Sequence, residues 1–267
     1  MNPIVPLLSV LALVPSSTAR GVATSPDAAA AISIPARQGS DAGTAAGRVR
    51  FEGEKPEVKP LAIEPDRAKG CTPAGEAIDA KDESLLIGKD NGIANVVITI
   101  EVADAKAKVP EKPIVMDQKK CRFEPHVVVI PAGATVDFLN SDQAAHNVHI
   151  YPLKNEGFNQ TVAVGGKHTA TFPKSDKIQI KCDLHPWMKS WLIVSESPFV
   201  AVTDADGAFK IAGLPPGEHK ATLWHEELGK AQVVIKVEPD GPDGAAGKSA
   251  PLEFKLSQQK KEGRPRR

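Results

Sequence analysis

The sequence predicts an all-β protein, and three observations support that fold class. Short runs rich in Val, Ile, Thr and Phe recur along the chain, and many of them alternate polar with apolar residues. The chain has 21 Gly and 23 Pro, which supply the turns between these runs. Few windows have the periodicity of a helix. Many short strands at close spacing are typical of a β-sandwich or barrel, and 267 residues allow one or two domains.

The N-terminal residues predict export. Residues 4–14 are mostly apolar, and Ser17, Thr18 and Ala19 supply the small residues of a cleavage site. The apolar run is too short to cross a bilayer, so we expect no integral membrane span in the mature protein. We therefore predict a signal peptide over residues 1–19 and a periplasmic or cell-surface location. Residues 20–46, rich in Ala, Ser, Gly and Pro, predict a flexible linker.

Strand candidates begin after this linker and continue almost to the end. Residues 48–51 alternate polar and apolar, and residues 93–102 are rich in β-branched side chains. A short apolar run at 84–88 precedes the Asn91-Gly92 turn signal. The remaining predicted strands are 114–116, 127–130, 135–140, 147–151, 168–172, 178–182, 191–194, 199–203, 208–211, 220–225, 232–237 and 252–256, with a low-complexity loop at 241–248.

The charge balance points to no polyanionic partner. Lys plus Arg equals Asp plus Glu at 33 each, so no overall field favours nucleic acid. Basic residues are nevertheless concentrated in the last ten positions, 258–267. We interpret that segment as a solvated, disordered tail, with a weak anchor to an anionic surface as the alternative.

Of the three cysteines, one lies in a metal-binding pattern and two remain. An exported chain can pair the remaining Cys71 and Cys121, and this disulfide would stabilise the fold by roughly 2–4 kcal/mol. Two free buried thiols are the alternative.

The third cysteine belongs to a candidate copper site. Cys182, His185 and Met188 follow one predicted strand at the spacing C-x2-H-x2-M. His146 follows a loop that leads into a neighbouring strand, so it can approach the same point. Two imidazoles, a thiolate and a weak axial thioether are the ligands of a blue-copper electron-transfer site. Taken singly, the cysteine and the methionine are more often buried filler, and a histidine before proline is more often loop.

A second histidine, His149, competes with His146 as the upstream ligand. Residues three apart on a regular strand point to opposite faces, so the two cannot both face the metal. We favour His146. The other histidines lack Cys or His neighbours at ligand spacing, and we expect them to be structural or exposed: His126, His168, His219 and His225.

These residues resemble a known family. The stretch from Cys182 to Met188 is similar to the ligand loop of cupredoxins, most of all to the short loop of amicyanin. Residues 127–142 resemble the cupredoxin strand, Pro-Ala-Gly turn, strand and Asn-x-Asp lead-in, and His146-Asn147 matches the first ligand and the Asn after it. The resemblance covers residues 121–195. It implies a Greek-key β-sandwich with copper at one end, and an Asn147 that ties the two ligand loops together.

The flanking regions resemble a second family. Residues 202–217 look like the second half of a carboxypeptidase-regulatory-like, or transthyretin-like, sandwich, and residues 47–53 resemble its opening strand. We therefore hypothesise that the cupredoxin is inserted between two halves of one sandwich, with two sequential domains as the alternative. The predicted divisions are an N-terminal β region at 47–112, a cupredoxin domain at 113–196 and a carboxypeptidase-regulatory-like domain at 197–257.

The expected function is that of an exported type 1 copper protein in one-electron transfer with a redox partner protein. We expect the electron to leave through an exposed edge of His185, flanked by an apolar surface of Pro186, Trp187 and Trp191. We expect no enzyme activity, since no open coordination position or second histidine cluster is evident. The alternative is a cell-surface or periplasmic binding or structural β-sandwich with copper capture instead of redox turnover.

Overall fold

A computed structural model describes residues 42–73, 76–241 and 252–257. This part of the chain forms sixteen strands in four sheets, so the all-β prediction is confirmed. The strands are β1 Gly43–Phe51, β2 Val97–Ile100, β3 Ile114–Lys119, β4 Arg122–Glu124, β5 Val127–Pro131, β6 Ala134–Asn140, β7 His146–Tyr151, β8 Asn159–Val162, β9 Lys167–Phe172, β10 Asp176–Lys181, β11 Lys189–Ser195, β12 Phe199–Val202, β13 Ala208–Leu214, β14 Gly217–His225, β15 Gly229–Val237 and β16 Leu252–Leu256.

Two of the sheets enclose the central part of the chain. One has the strand order β4-β3-β6-β9 and the other β5-β11-β10-β7-β8. Strand β6 alternates buried and half-buried residues along its whole length, because one face of a sandwich strand packs inward and the other faces water. Phe138 and Phe172 from the first sheet share a buried core with Ile180 and Leu192 from the second.

The other two sheets combine both ends of the chain. Their strand orders are β13-β1-β16 and β12-β2-β14-β15. Strand β1 pairs antiparallel with β13 and parallel with β16, while β2 pairs antiparallel with β12 and β14. Val49 and Ile98 share one core with Phe209 and Leu223. Strands that precede and follow residues 114–195 therefore share both sheets, as the inserted arrangement predicts.

The two sandwiches pack against each other through strand β5. All five of its residues are buried, unlike the alternating strands, because both of its faces are covered. Val128 and Ile130 point into the core of the central sandwich, whereas Val127 and Val129 contact Val97, Ile193 and Val200. The rings of Trp191 and Trp224 meet edge to face across this contact, 4.9 Å apart. The central sandwich is thus held against the flanking one by apolar packing.

Burial at this contact also affects His225, at the end of β14. The side chain is 1% exposed, and burial lowers its pKa to about 4. A group that stays neutral in the folded state but accepts a proton near pH 6.5 when unfolded destabilises the fold as the pH falls. We expect acidification from about pH 7 to about pH 5 to cost about 2 kcal/mol through this residue. In His225→Gln that loss should disappear from denaturant titrations at the two pH values. Equal pH dependence of the variant and the parent protein would contradict the assignment.

Several sequence predictions fall at the edges of the described ranges. Strand β1 begins at Gly43, inside the segment predicted as linker. The signal peptide, most of the linker, all but the first residue of the loop at 241–248, and the tail at 258–267 lie outside the described residues. The apolar run at 84–88 contributes only an isolated bridge between Ile87 and Ile93. Within the described ranges, no helix has the length and apolarity needed to cross a bilayer.

Candidate metal centre

The antiparallel pairing of β7 with β10 brings the candidate ligands together. Lys181 at the end of β10 pairs with His149, so the residues after β10 lie beside the start of β7, where His146 is located. Cys182 and His185 belong to the turn that joins β10 to β11. That turn is closed by two backbone hydrogen bonds, from Met188 N to the His185 carbonyl at 2.8 Å and from Cys182 N to the Met188 carbonyl at 3.2 Å.

Three donor atoms converge at this point. Nδ1 of His146 lies 2.9 Å from Nδ1 of His185, and Sγ of Cys182 lies 3.9 Å and 3.6 Å from the two nitrogens. The three residues are 0%, 4% and 2% exposed, in the order His146, His185 and Cys182. They form one group that could hold a metal ion. Met188 is also buried, in the same core cluster as Cys182, directly before β11.

Hydrogen bonds on the far side of each ring fix which nitrogen faces the centre. Nε2 of His185 lies 2.8 Å from the carbonyl oxygen of Arg67, and Nε2 of His146 lies 2.9 Å from Oδ2 of Asp142. Both oxygens can only accept, so both Nε2 atoms donate and, in the neutral rings, both Nδ1 atoms carry lone pairs. Two lone pairs 2.9 Å apart beside a sulfur repel one another unless a cation lies between them. The arrangement therefore calls for a bound cation, a proton or a metal ion.

Asp142 is itself held firmly in place. Its carboxylate accepts the backbone N–H groups of Lys120 at 2.5 Å and Cys121 at 2.8 Å, and both of those residues have a positive φ. Its own backbone N–H donates to Oδ1 of Asn140 at 3.0 Å. Burial lowers the pKa of His146, but hydrogen bonds to Asp142 and Cys182 outweigh it, so the pKa is raised above its usual value. Asp142 thus orients the His146 ring and stabilises positive charge on it.

The side chain of Asn147 ties the two ligand loops together. Its Oδ1 accepts the backbone N–H of Asp183 at 2.7 Å and lies 3.3 Å from the Cys182 sulfur. Its Nδ2 donates to the Asp183 carboxylate at 3.0 Å. The residue after the first histidine therefore fixes the start of the loop that carries the other candidate ligands.

The Cys182 sulfur lies in surroundings that favour the thiolate. Burial raises the pKa of the thiol, but contacts with His146 and His185, with a proton held at their Nδ1 atoms, and hydrogen bonds from backbone groups lower it to about 6 overall. An unperturbed thiol titrates near pH 8.5. The thiolate is the form that binds metals, so the sulfur is ready for a metal ion at neutral pH.

This pKa gives a direct prediction for the metal-free protein. Cys182 is the one free cysteine of the three. We expect its ultraviolet thiolate absorption to rise between about pH 5 and pH 7, with its midpoint near the lowered pKa of about 6. The absorption should be absent at lower pH, where the thiol is protonated. The Cys182→Ser protein, with the disulfide intact, is the matched blank for the difference spectrum. A midpoint near pH 8.5 would show that the two imidazoles do not act on the sulfur.

One expectation about the surface of the centre is wrong. The sequence predicted an exposed edge of His185, but the structure buries this ring and bonds its outer nitrogen to Arg67. The covering segment comprises residues 64–71, which we call the strap. It is anchored by the predicted disulfide between Cys71 and Cys121, which is confirmed, and by a hydrogen bond from Gln143 N to the Gly70 carbonyl at 2.9 Å. Pro186 is exposed, whereas Trp187 and Trp191 are half-buried.

The remaining histidines lie outside the donor group. His149 is half-buried and its Nδ1 lies 3.1 Å from the Asp183 carboxylate. His168 packs against the rings of Phe138 and Phe158. His126 is buried at the contact between the sandwiches and is hydrogen-bonded to Glu226. Sequence reasoning missed the role of Asp142 as a hydrogen-bond partner of His146, and it missed the Arg67 carbonyl, because neither has a local ligand signature.

Comparisons with known proteins find likeness among solved structures alone. No family model matches the chain, and no curated protein matches it. A Cu-containing nitrite reductase from Thermus scotoductus SA-01 shares 28% identity over 37% of this chain, at a TM-score of 0.31. A variant of amicyanin in the reduced Cu(I) form shares 25% identity over 37% of this chain and 98% of its own chain, at a TM-score of 0.30. A purple cupredoxin from Nitrosopumilus maritimus shares 22% identity over 30% of this chain and 98% of its own chain, at a TM-score of 0.27. The match spans 25% of the nitrite reductase.

Proposed function

We propose that the protein holds one copper ion between His146, Cys182 and His185, with Met188 as a weak axial ligand, and transfers single electrons. The observation that carries this proposal is the convergence of two Nδ1 atoms, each turned inward by an acceptor on its far side, on a sulfur of lowered pKa. Donor separations of 2.9–3.9 Å fit metal–ligand bonds of about 2.0–2.3 Å. Two imidazoles, a thiolate and a thioether suit copper best.

The chain's own residues keep these ligands still. Asp142 and the Arg67 carbonyl stop the two imidazoles from rotating, and Asn147 fixes the loop that carries the cysteine. The core around the sulfur is apolar and closed to water. Bound copper would supply the chemistry by alternating between Cu(I) and Cu(II). A rigid, dry site limits the rearrangement that accompanies each change of charge, which favours rapid one-electron transfer.

A redox titration tests this function. The copper-loaded full chain should take up and release one electron per copper reversibly, and stopped-flow mixing with a small inorganic oxidant should follow one exponential. Copper that is lost on reduction, or that cannot be reoxidised, would contradict electron transfer. The same experiment addresses copper capture, the alternative that the buried His185 edge favours. A retained ion that never exchanges electrons would establish that alternative.

Met188→Leu should raise the reduction potential while copper stays bound. A thioether donates electron density that favours Cu(II), so its removal favours Cu(I). We expect a rise of at least about 60 mV, which corresponds to a tenfold change in the ratio of the two affinities. The matched control is Met116→Leu, because Met116 is equally buried in the same core but lies on β3, outside the ligand turn. Equal potentials in the two variants would remove Met188 from the ligand set.

We further propose export to the periplasm or the cell surface and a protein redox partner. The disulfide between Cys71 and Cys121 supports the location, because such bonds persist in oxidising compartments. We propose the domain division at residues 113–196 on the strand pairings described above. We propose a carrier instead of an enzyme, because among the described residues the three donor side chains are only 0–4% exposed, which leaves little access for a substrate.

A further inference from the structure

The disulfide lies directly against the candidate metal centre. Sγ of Cys121 is 3.8 Å from Nε2 of His146. The sulfurs of Cys71 and Cys121 and a ring nitrogen of His185 all lie within 4.8 Å of one another. Both cysteines are buried. The bond that anchors the strap therefore places two further sulfur atoms beside the imidazoles of the donor group.

The strap covers the outer nitrogen of His185. Its Arg67 carbonyl binds the outer nitrogen of His185, and its Gly70 carbonyl binds the loop before His146. With the disulfide formed, the strap lies over the donors and is held there at both its Arg67 and its Gly70 contacts. Release of the strap would therefore open the donors more widely to an incoming ion.

We propose that Cys71, Cys121 and His185 form a second, Cu(I)-binding site when the disulfide is reduced, and that this site is the entry to the inner centre. This proposal rests on the proposed function in one respect: the inner centre to which the ion would move is the copper site proposed above. The step balances as a thiol–disulfide exchange: a dithiol reductant gives two electrons and two protons to the Cys71–Cys121 bond and becomes a disulfide. Cu(I) then replaces thiol protons, which leave to water, and copper keeps its oxidation state.

The geometry favours Cu(I) at this place. The two cysteines have Cα atoms 5.0 Å apart, so their sulfurs stay neighbours after the bond is broken. Thiolates are soft ligands and select Cu(I), and His185 adds an imidazole. Because His185 belongs to both groups, an ion can pass inward from the outer pair without losing all of its ligands. Reverse exchange with the disulfide form of the dithiol, which takes back the two electrons and two protons, re-forms the Cys71–Cys121 bond, removes the outer ligands and closes the strap over the loaded centre.

The test uses the full chain with Cys182→Ser, which removes the inner thiolate, so that Cys71 and Cys121 are the only thiols that can bind the ion. Cu(I) is titrated into the reduced protein against bathocuproine disulfonate. We expect one Cu(I) bound at least 100-fold more tightly than by the triple variant Cys71→Ser, Cys121→Ser, Cys182→Ser. X-ray absorption should show two copper–sulfur bonds. The Cys182→Ser chain with its disulfide intact is a second control that needs no further substitution, and it should bind no more tightly than the triple variant.

Equal Cu(I) affinity of the reduced Cys182→Ser chain and both controls would overturn the proposal. That outcome is separate from a failure of the proposed function, which is judged on the oxidised parent chain with Cu(II). A parent chain without a thiolate–copper band, beside a reduced Cys182→Ser chain that binds Cu(I) through two sulfurs, would leave the outer site as the protein's copper site.

Discussion

Cys182→Ser should abolish the intense visible absorption of the copper-loaded protein completely. That band arises from charge transfer between a thiolate and copper, and a serine hydroxyl at this buried position cannot replace the thiolate. The two imidazoles are held by Asp142 and Arg67 independently of the sulfur, so we expect copper to remain bound weakly with an ordinary EPR spectrum. The measurement is an absorption and EPR comparison of the variant and the parent chain.

Two checks make that result interpretable. The count of free thiols in the denatured protein should fall from one to zero, since the other two cysteines form the disulfide. Circular dichroism should be unchanged, because serine differs from cysteine by a single atom. Retention of the colour in a variant that passes both checks would exclude Cys182 as the ligand.

Asp142→Asn should have the next largest effect, a fall in copper affinity of about 10–100-fold. Asn has the same shape, but its single oxygen can keep only one of the two N–H groups, because Lys120 binds Oδ1 and Cys121 binds Oδ2, the atom that also faces His146. We consider the orientation in which the oxygen keeps Lys120. Its amide nitrogen would then face Nε2 of His146 as a donor. The ring would be driven to the other tautomer, with its proton on Nδ1, where the metal must bind. Competition titration against a chelator measures the loss.

The control for this substitution is Asp137→Asn on β6. Asp137 is also a partly shielded carboxylate, bonded to Lys167 and Thr169, but it belongs to none of the donor groups. We expect its copper affinity to match that of the parent chain. Equal losses in the two variants would mean that general electrostatics, and not the tautomer of His146, explains the effect.

The parts of the fold that sequence could predict are those with a local pattern. Alternation identified β6, and the Cys-His-Met turn identified the ligand loop, because its residues lie within seven positions. Strands β4 and β8 escaped prediction. The first has three residues, and the second exposes three of its four, so neither carries an apolar repeat. The family resemblance also suggested the pairing of the two chain ends, which the β1 pairings with β13 and β16 show.

The closed state of the centre could not be predicted in this way. Arg67 acts through its backbone carbonyl, which every residue has, and it meets His185 across 118 positions of sequence. Asp142 was visible only as part of a loop, because its role depends on the turn at Lys120 and Cys121. Contacts of this kind are set by the docking of segments that are distant in sequence. They decide whether the ligands are exposed, and so they decide how copper and electrons reach them.

The visible absorption and EPR spectrum of the purified protein after addition of Cu(II) tests the central claim most directly. An ion held by the thiolate of Cys182 and the two imidazoles should give a strong blue or green band and a small copper hyperfine splitting. A folded protein with a free Cys182 thiol that gives neither signal would contradict the account and reduce the donor group to a part of the scaffold.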